Sequence, residues 1–292
     1  MTKSAYFRRS LAGQFSKARF KCPSCGNSAP NPVVDRKHLM TQLRRCGRCK
    51  MMFRTPTDDP SKNLAFYENE YVQGFTTDLP SDAMLGEMKR TKFAGSEKSY
   101  SYYIEVLTSL GLKPGSRVFD YGCSWGYGSY QLAKAGFAVV SFEVAPSRRR
   151  YANEKLDVRI LDDMDHAAND FHGSFDCFFS AHVIEHVPSP AASFNYAMRL
   201  LKQGGLFVSF TPNGSDAHRA NSPQWSKFWG EVHPNFIDDA FLDSSFKGSP
   251  RAVGSSPVSN ASLPFQNELK RLNKLDGEEL FFAAKKIKDT WN

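Results

Sequence analysis

The sequence lacks the features that mark several special classes of protein. No stretch of its 292 residues approaches the roughly 20 consecutive apolar residues of a membrane span, and the first twenty residues lack the apolar run of a secretory signal. Internal repeats and low-complexity blocks are missing. A composition of 41% hydrophobic and 23% charged residues excludes collagen, coiled-coil arrays and a wholly disordered chain. We expect a cytoplasmic globular protein with one large domain and a small appendage.

Acidic residues are scarce near the N-terminus. Residues 1–54 contain thirteen Lys or Arg and a single acid, Asp35, so that this segment carries a net charge of +12, whereas the remainder carries −4. Such asymmetry suggests an anionic partner, which could be nucleic acid, a phosphorylated substrate or a membrane surface. A solvated basic face is the alternative. Residues 1–20 have the composition of a basic tail, with an organellar transit peptide as the alternative.

Only six cysteines are present, and four of them form two CxxC pairs separated by twenty residues. These four are Cys22, Cys25, Cys46 and Cys49. The spacing is typical of a zinc ribbon, in which two tight turns bring four thiolates to one tetrahedral ion. We expect Gly26 and Gly47 to give these turns an unhindered backbone. Because four thiolates leave no open position on the ion, we predict structural zinc in an N-terminal module of residues 21–54.

The rest of the chain predicts an α/β fold. Residues 55–98 combine Pro56, Pro60 and Pro80 with aromatics between Phe66 and Phe75, which is typical of an irregular connector or lid that packs onto a neighbour. Across residues 99–292, strand-like runs alternate with helical patterns, which predicts a doubly wound sheet with helices on both faces. The runs cover residues 117–121, 138–144, 158–162, 175–180 and 206–211, followed by a terminal strand over 279–285 with an expected partner in 251–259.

The strongest chemical signal lies where the first of these strands ends. Asp120 closes the strand, and a turn of small residues follows that contains Gly122, Ser124 and Gly126. Such a turn lets the backbone approach a ligand at the carboxyl ends of the strands. Glu143 ends the second strand, 23 residues after Asp120, where it could accept hydrogen bonds from both hydroxyls of a ribose. The glycine spacing differs from the dinucleotide fingerprint, so a nucleoside with a small cationic tail is favoured.

These motifs resemble those of the class I S-adenosylmethionine-dependent methyltransferases, especially the ubiquinone-biosynthesis O-methyltransferase-like branch. The resemblance covers about residues 100–292 and rests on residues 120–126, Glu143, Phe175-Asp176, residues 183–188 and residues 200–206. It implies a Rossmann-like sheet of seven strands with an antiparallel last strand. It also implies S-adenosylmethionine across the first turn, with ribose on Glu143 and adenine near Asp163 and Met164. Ser124 replaces the usual middle glycine, so we expect no strained backbone there.

Histidines are the candidates for proton removal from a methyl acceptor. His182, Glu185 and His186 follow the fourth strand at a spacing that predicts one helical face, and His233 follows the fifth strand. A histidine suits this task near neutral pH, so we predict His186, His233 and His182 as catalytic candidates, with packing as the alternative for His186. Some members of the resembling family carry two acids and a histidine in this segment that are implicated in divalent-metal binding. Here His182 replaces the first acid, and metal-assisted deprotonation stays an alternative.

The leading functional hypothesis is methyl transfer to a hydroxyl of a small-molecule, glycan or lipid-linked acceptor. An acceptor that bears phosphate would suit the basic N-terminal module. The Asn- or Asp-Pro-Pro-aromatic motif and the Pro-Cys pair of nucleic-acid methyltransferases are missing from the sequence. The alternative is an RNA methyltransferase that grips phosphates with the basic module. A zinc-ribbon adaptor without activity is disfavoured by the intact Asp120, Gly122, Gly126 and Glu143.

Overall fold

A computed structural model describes residues 3–38, 40–59, 78–258 and 268–288. Pro60 and the aromatics between Phe66 and Phe75 lie outside the described residues. The described strands are β1 Val33–Lys37, β2 Thr41–Arg45, β3 Met52–Thr55, β4 Arg117–Tyr121, β5 Ala138–Phe142, β6 Ile160–Leu161, β7 Phe175–Ala181, β8 Leu201–Pro212, β9 Asn235–Phe236, β10 Arg251–Ser255, β11 Leu269–Arg271 and β12 Glu279–Lys285. The described α-helices are α1 Lys3–Gly13, α2 Asp82–Arg90, α3 Ser101–Ser109, α4 Tyr127–Lys134, α5 Pro146–Leu156, α6 Met164–Asp170, α7 Pro190–Leu200, α8 Asp216–Asn221 and α9 Asp239–Ser245.

The larger sheet has the strand order β11-β10-β12-β8-β7-β4-β5-β6. Five neighbouring strands of this order, β8, β7, β4, β5 and β6, are parallel to one another. Strand β12 is antiparallel to both β8 and β10. The α/β class and the pairing of the terminal strand with residues 251–255 are thereby confirmed. Within the described residues this sheet has eight strands rather than seven, because Leu269–Arg271 adds β11 parallel to β10. A strand of three residues, two of which are cations, is too short to show an alternation of apolar and polar side chains.

Both faces of the central strands are buried. Phe178 stacks on Phe119 on one face with ring centroids 5.4 Å apart, while Cys177 and Phe179 belong to the apolar cluster on the other face. Side chains alternate along a strand, so a strand that is covered on both faces reads as a continuous apolar run. This is why β7 could be predicted from the sequence.

The smaller sheet joins the N-terminal module to the large domain. Its order is β1-β2-β3-β9, and β9 comes from the chain that follows β8. The expected basic tail is helical in α1, and Arg9 on this helix pairs with Asp58 at 3.2 Å. Cys46 and Phe53 lie in the same buried cluster as Phe119 of the large sheet. The module and the sheet domain therefore share one core.

Candidate residues for function collect where the parallel strands end. Asp120 lies near the end of β4 and the turn of residues 122–126 follows it, Glu143 follows β5, and residues 182–186 follow β7. Proline at the first position starts both α5 and α7, where its fixed φ suits a helix N-terminus. Among the helices of the described residues, none has the length and apolar character needed to cross a membrane.

Candidate functional site

The four predicted metal ligands lie together. The Sγ atoms of Cys22 and Cys49 are 3.6 Å apart, as are those of Cys25 and Cys46, and all four lie within 4.8 Å of one another. Zn–S bonds of about 2.3 Å in a tetrahedron give sulfur–sulfur edges of about 3.8 Å. Backbone N–H groups of the same turn outweigh burial and lower the pKa of Cys46 to about 7, whereas burial raises the pKa of Cys25, and the Cys22 thiol together with burial raises that of Cys49. A cation among the four sulfurs would favour the thiolates. The arrangement fits a tetrahedral zinc ion.

The turns of the two CxxC pairs differ from the prediction in one position. Gly26, directly after the second cysteine of its pair, has φ +69° as the tight turn requires. Gly47 does not have a positive φ. Lys50, directly after Cys49, has φ +70° instead. The left-handed position in each turn is therefore the residue after the second sulfur, and neither the conformation nor the surroundings of Gly47 require glycine.

Asp120 lies buried at the end of β4. Its Oδ2 atom accepts a hydrogen bond of 2.6 Å from Ser129 Oγ, which in turn accepts one of 2.9 Å from Ser141 Oγ. Burial raises the pKa of Asp120 to about 6, against the effect of the Ser129 hydrogen bond, and the charge of Glu143 adds to the rise. The carboxyl group thus lacks a cationic partner among the described residues, and a cationic ligand would favour its ionised form.

Ser124 does adopt a left-handed backbone, contrary to expectation, with φ +53°. Hydrogen bonds to the end of β5 and to Glu143 hold the turn. The N–H groups of Gly122 and Cys123 donate to Phe142 O at 2.9 and 3.0 Å. Ser124 N–H donates to Glu143 Oε2 at 3.0 Å. These hydrogen bonds impose the conformation whether the residue is glycine or serine. Ser124 Oγ is buried and has no hydrogen-bond partner within the part of the chain that the structure describes.

Glu143 contacts the glycine turn with one carboxylate oxygen and the start of α5 with the other. Oε2 accepts from Ser124 N–H, and Oε1 accepts from Ala145 N–H at 2.8 Å. Each oxygen keeps a second lone pair for a ligand. The predicted adenine contacts follow β6: Asp163 caps α6 by accepting from Asp165 N–H at 2.8 Å, and the Met164 side chain is buried.

Residues 182–186 form a turn, so the prediction of one helical face is wrong. His182 has φ +55°, which lies outside the conformation of a right-handed helix, and His186 N–H donates to Val183 O at 2.9 Å. Glu185 nevertheless lies between the two imidazoles. Its Oε1 is 3.6 Å from His182 Nδ1 and 3.7 Å from His186 Nε2.

The His182 imidazole is part of an acidic network with the last strand. Its Nε2 lies 2.8 Å from Glu279 Oε1, and Tyr103 OH donates to the same oxygen at 2.7 Å. Partial burial of this 47% exposed side chain favours the neutral imidazole, but the hydrogen bonds and charges of Glu185 and Glu279 outweigh it and raise the pKa of His182 to about 10. His182 is therefore a cation near neutral pH.

His186 and His233 form a second pair beside Glu185. Their rings meet edge to face with centroids 4.6 Å apart, and ligand-type atoms of Glu185, His186 and His233 all lie within 4.8 Å of one another. Thr211 Oγ1 donates to Glu185 Oε2 at 3.0 Å. Burial lowers the pKa of His186 to about 4, whereas the pKa of Glu185 falls to about 2 because the histidines outweigh its burial. His186 is thus neutral near pH 7.

A protein-family model described as a methyltransferase domain matches residues 96–248, just over half of the chain. The chain belongs to this family. Within the methyltransferase, the matched region contains the glycine turn, Glu143 and all three candidate histidines. The predicted class I S-adenosylmethionine-dependent methyltransferase is thereby confirmed as the family.

The methyltransferase is also similar to curated proteins over part of its length. It is 34% identical over 111 residues to a ubiquinone biosynthesis O-methyltransferase of Xanthomonas campestris pv. campestris (strain B100), covering 36% of this chain and 46% of that protein. The corresponding enzyme of Xanthomonas oryzae pv. oryzae (strain PXO99A) is 37% identical over 103 residues, covering 32% and 43%. The match therefore spans less than half of each relative. A solved S-adenosylmethionine-dependent methyltransferase from Thermotoga maritima is 18% identical, with a TM-score of 0.44, covering 70% of this chain and 96% of that one.

Several residues that hold the candidate site together carry almost no signal in the sequence. Glu279, which holds His182, opens β12 nearly a hundred residues later, and Thr211 and Asn235 hold Glu185 and its turn. Such partners carry no local motif. The only signal available was a polar residue at the end of a buried strand, as at Thr211.

Proposed function

We propose that this protein transfers the methyl group of S-adenosylmethionine to a hydroxyl of a small-molecule, glycan or lipid-linked acceptor. The observation that carries the proposal is the position of two imidazoles, those of His186 and His233, on the same edge of the sheet as the glycine turn and Glu143. The turn supplies a nucleoside site, and the imidazoles supply proton acceptors.

Residues at the ends of β4, β5 and β6 suit the different parts of the cofactor. The free lone pairs of Glu143 would accept hydrogen bonds from the ribose hydroxyls. Asp120 offers a buried carboxylate to the cationic methionine end, and the orphaned Ser124 Oγ offers a further polar contact. Asp163 and Met164 lie after β6, where they would border the adenine. These assignments support one orientation of the cofactor along the strand ends.

The reaction requires a positioned acceptor and a place for its proton. S-adenosylmethionine supplies an electrophilic methyl group on a positively charged sulfur. As the acceptor oxygen attacks in line, the new O–C bond forms, the electron pair of the breaking C–S bond stays on sulfur, and the hydroxyl proton leaves. His186 Nδ1 is bonded to Val232 O at 2.9 Å and His233 Nδ1 to Phe228 O at 3.1 Å. With the proton on Nδ1, Nε2 is the nitrogen of each ring that can accept the proton of the acceptor.

His182 is the least suited of the three candidates to act as the base. Its ring is already protonated near neutral pH because it pairs with Glu185 and Glu279. We assign it an electrostatic role, in which it keeps Glu185 ionised beside the neutral His186. The ligand-type atoms that converge include His233 rather than His182, so an activating divalent cation would use Glu185, His186 and His233.

The charge distribution favours the small-acceptor hypothesis over RNA. Several cations of residues 1–54 are paired within the protein: Arg9 with Asp58, Arg45 with Asp238 at 2.7 Å, and Arg54 with Asp58. These charges are not available to grip a phosphate backbone. Binding to RNA through the remaining cations would still weaken steeply with salt, which separates the two functions.

The test is transfer of labelled methyl groups from S-adenosylmethionine into a fractionated cell extract, counted before and after nuclease treatment. We expect nuclease-resistant label in small-molecule, glycan or lipid fractions. Label that nuclease removes would instead assign the RNA function. A protein that binds S-adenosylmethionine but labels no fraction would contradict both.

The roles of the imidazoles are tested with His186→Ala and His233→Ala in the same assay. Loss of the general base is expected to slow transfer by about 10²–10⁴-fold while the affinity for S-adenosylmethionine stays unchanged. His172→Ala, at an exposed histidine before β7, is the matched control. Wild-type activity in both variants would overturn the base assignment, and a rate that depends on added Mg²⁺ or Mn²⁺ would favour the metal-assisted route.

A further inference from the structure

The segment that carries His233 is held by the N-terminal module. In β9, Phe236 pairs with Met52 and Asn235 with Phe53 of β3, and Arg54 N–H donates to Pro234 O at 2.8 Å. This short strand lies about 180 residues after β3 in the chain. Without β3 it would have no neighbour in a sheet within the described residues. The backbone on the C-terminal side of His233 is thus fixed by the module.

The N-terminal side of His233 is fixed by the first strand of the same module. Trp229 is 2% exposed, and its Nε1 donates to Asp35 Oδ2 at 2.9 Å. Lys37, two residues further along β1, places Nζ 4.5 Å from the Trp229 ring centroid and donates to Trp229 O. A half-buried hydrogen bond to a carboxylate and a cation over the ring fix Trp229 in position and orientation.

The opposite side of this segment contacts the turn that bears Glu185. Asn235 N–H donates to Glu185 O at 3.1 Å, and Asn235 Nδ2 donates to Val187 O at 2.7 Å. Val232 O accepts from His186 Nδ1. The chain from Trp229 to Phe236 therefore lies between the N-terminal module and the turn of residues 182–186, with hydrogen bonds to both.

A continuous path of contacts links Asp35 to His233. Asp35 holds Trp229, whose neighbour Phe228 supplies the carbonyl that accepts from His233 Nδ1. Gly230 N–H donates to His233 O at 3.0 Å and closes this loop. A shift of Trp229 would move the Phe228 carbonyl, and with it the direction of the His233 Nε2 lone pair.

We propose that the N-terminal module forms a wall of the acceptor site and that Asp35 is a positioning residue for His233, acting through Trp229. The inference rests on the proposed function, since it assigns the module to the placement of the proton acceptor. The four cysteines then serve catalysis indirectly, because an ion among them would hold together the hairpin that presents Asp35 and β3.

The test compares Asp35→Ala, Asp35→Asn and Arg36→Ala. Arg36 is the exposed neighbour of Asp35 on β1, so its variant is the matched control. In Asp35→Ala we expect kcat to fall about tenfold to a hundredfold, as for a small misplacement of a reacting group, with unchanged affinity for S-adenosylmethionine and an unchanged zinc content. Asp35→Asn keeps an acceptor oxygen for Trp229 Nε1 and is expected to recover most of the rate.

A readout that needs no turnover separates this inference from the proposed function. The imidazole NMR signals of His233, assigned by their loss in His233→Ala, are expected to shift in Asp35→Ala and to stay in place in Arg36→Ala. If the protein transfers no methyl group but these signals shift, the coupling stands and the proposed function fails. If the signals and kcat are unchanged in Asp35→Ala, or if affinity for S-adenosylmethionine falls as much as kcat, the positioning role is overturned. Should Asp35→Ala not fold, Trp229→Phe removes the same hydrogen bond and is read by the same criteria.

Discussion

Asp120 is a buried carboxyl group whose proton we expect to be linked to cofactor binding. Its pKa is raised to about 6 in the free protein, and a cationic ligand beside it would favour the carboxylate and lower this pKa. Binding of S-adenosylmethionine then releases a proton below pH 6, so the affinity should fall as the pH drops through that value. Titration calorimetry below and above this pH checks the sign.

Two variants isolate this contribution. Asp120→Asn is expected to bind more weakly and to lose the pH dependence, because no proton is exchanged at that position. Asp157→Asn removes an exposed acid in a left-handed position that asparagine tolerates, so it should retain the wild-type profile. A pH dependence that survives in Asp120→Asn would assign the linkage to another group.

Glu143 is expected to contribute to cofactor affinity through its ribose contact. Glu143→Ala should weaken binding of S-adenosylmethionine by about 1–3 kcal/mol, the range for hydrogen bonds to a charged group. Part of this loss would come from the turn, since Glu143 also accepts from Ser124 N–H. Glu143→Gln keeps one acceptor oxygen and should lose less. Calorimetry measures the affinity of both variants, with Glu154→Gln, at an exposed acid on α5, as the control. Binding like that of the wild type in all three variants would contradict the assignment.

At the scale of single residues, the sequence predicted the positions in the fold of those candidates that a local motif marks. Asp120 and Glu143 end strands at a recognisable spacing, and both lie at the glycine turn as expected. The pairing of His182 with Glu279 could not be predicted, because it depends on where β12 lies in the sheet. The left-handed Ser124 escaped prediction for a related reason: hydrogen bonds to β5 and Glu143 overrule its intrinsic preference.

The β4–α4 turn, as a structural element, requires glycine at position 122 for two separate reasons. Gly122 has φ +78°, and a Cβ there would lie 2.5 Å from a methyl carbon of Val183. Gly173 has φ +61° but open space around an added Cβ. Gly173→Ala should therefore cost only the conformational penalty of about 1–2 kcal/mol, whereas Gly122→Ala should cost about 1–3 kcal/mol more from overpacking. Denaturant titration of both variants checks this, and equal destabilisation would rule out the steric contribution.

Strands that are buried on both faces can be predicted from the sequence, whereas a strand that depends on a distant partner cannot. β4 and β7 are covered on both faces, and their apolar runs were predicted within a residue of their observed ends. β9 contains two residues and exists only because β3 offers an edge to pair with. A strand whose stability comes from a partner 180 residues away leaves no periodic pattern of its own.

On the scale of the whole molecule, the charge asymmetry of the sequence is partly resolved inside the fold. Arg45 of β2 pairs with Asp238, which is 1% exposed and precedes α9. Burial raises the pKa of Asp238 to about 6, although Arg45 opposes the rise. The basic N-terminal segment and the more acidic sheet domain are thus complementary to each other, and part of the +12 charge serves this internal interface.

A shared core implies that the N-terminal module and the sheet domain unfold together. Cys46 is fully buried in the cluster that contains Phe119 and Phe207 of the large sheet, and β3 and β9 form one sheet across the junction. Cys46→Ser should remove a ligand from the predicted zinc ion and lower the free energy of unfolding by on the order of 4 kcal/mol or more, as for the loss of a structural metal. Arg48→Ala, at an exposed position of the same turn, should leave stability within about 0.5 kcal/mol of the wild type. Denaturation followed by tryptophan fluorescence and by far-ultraviolet circular dichroism should give one coincident transition in each protein.

If Cys46→Ser instead unfolded in two steps, with the sheet domain melting at the wild-type midpoint, the module would be an independent unit and β9 would not couple it to the acceptor site.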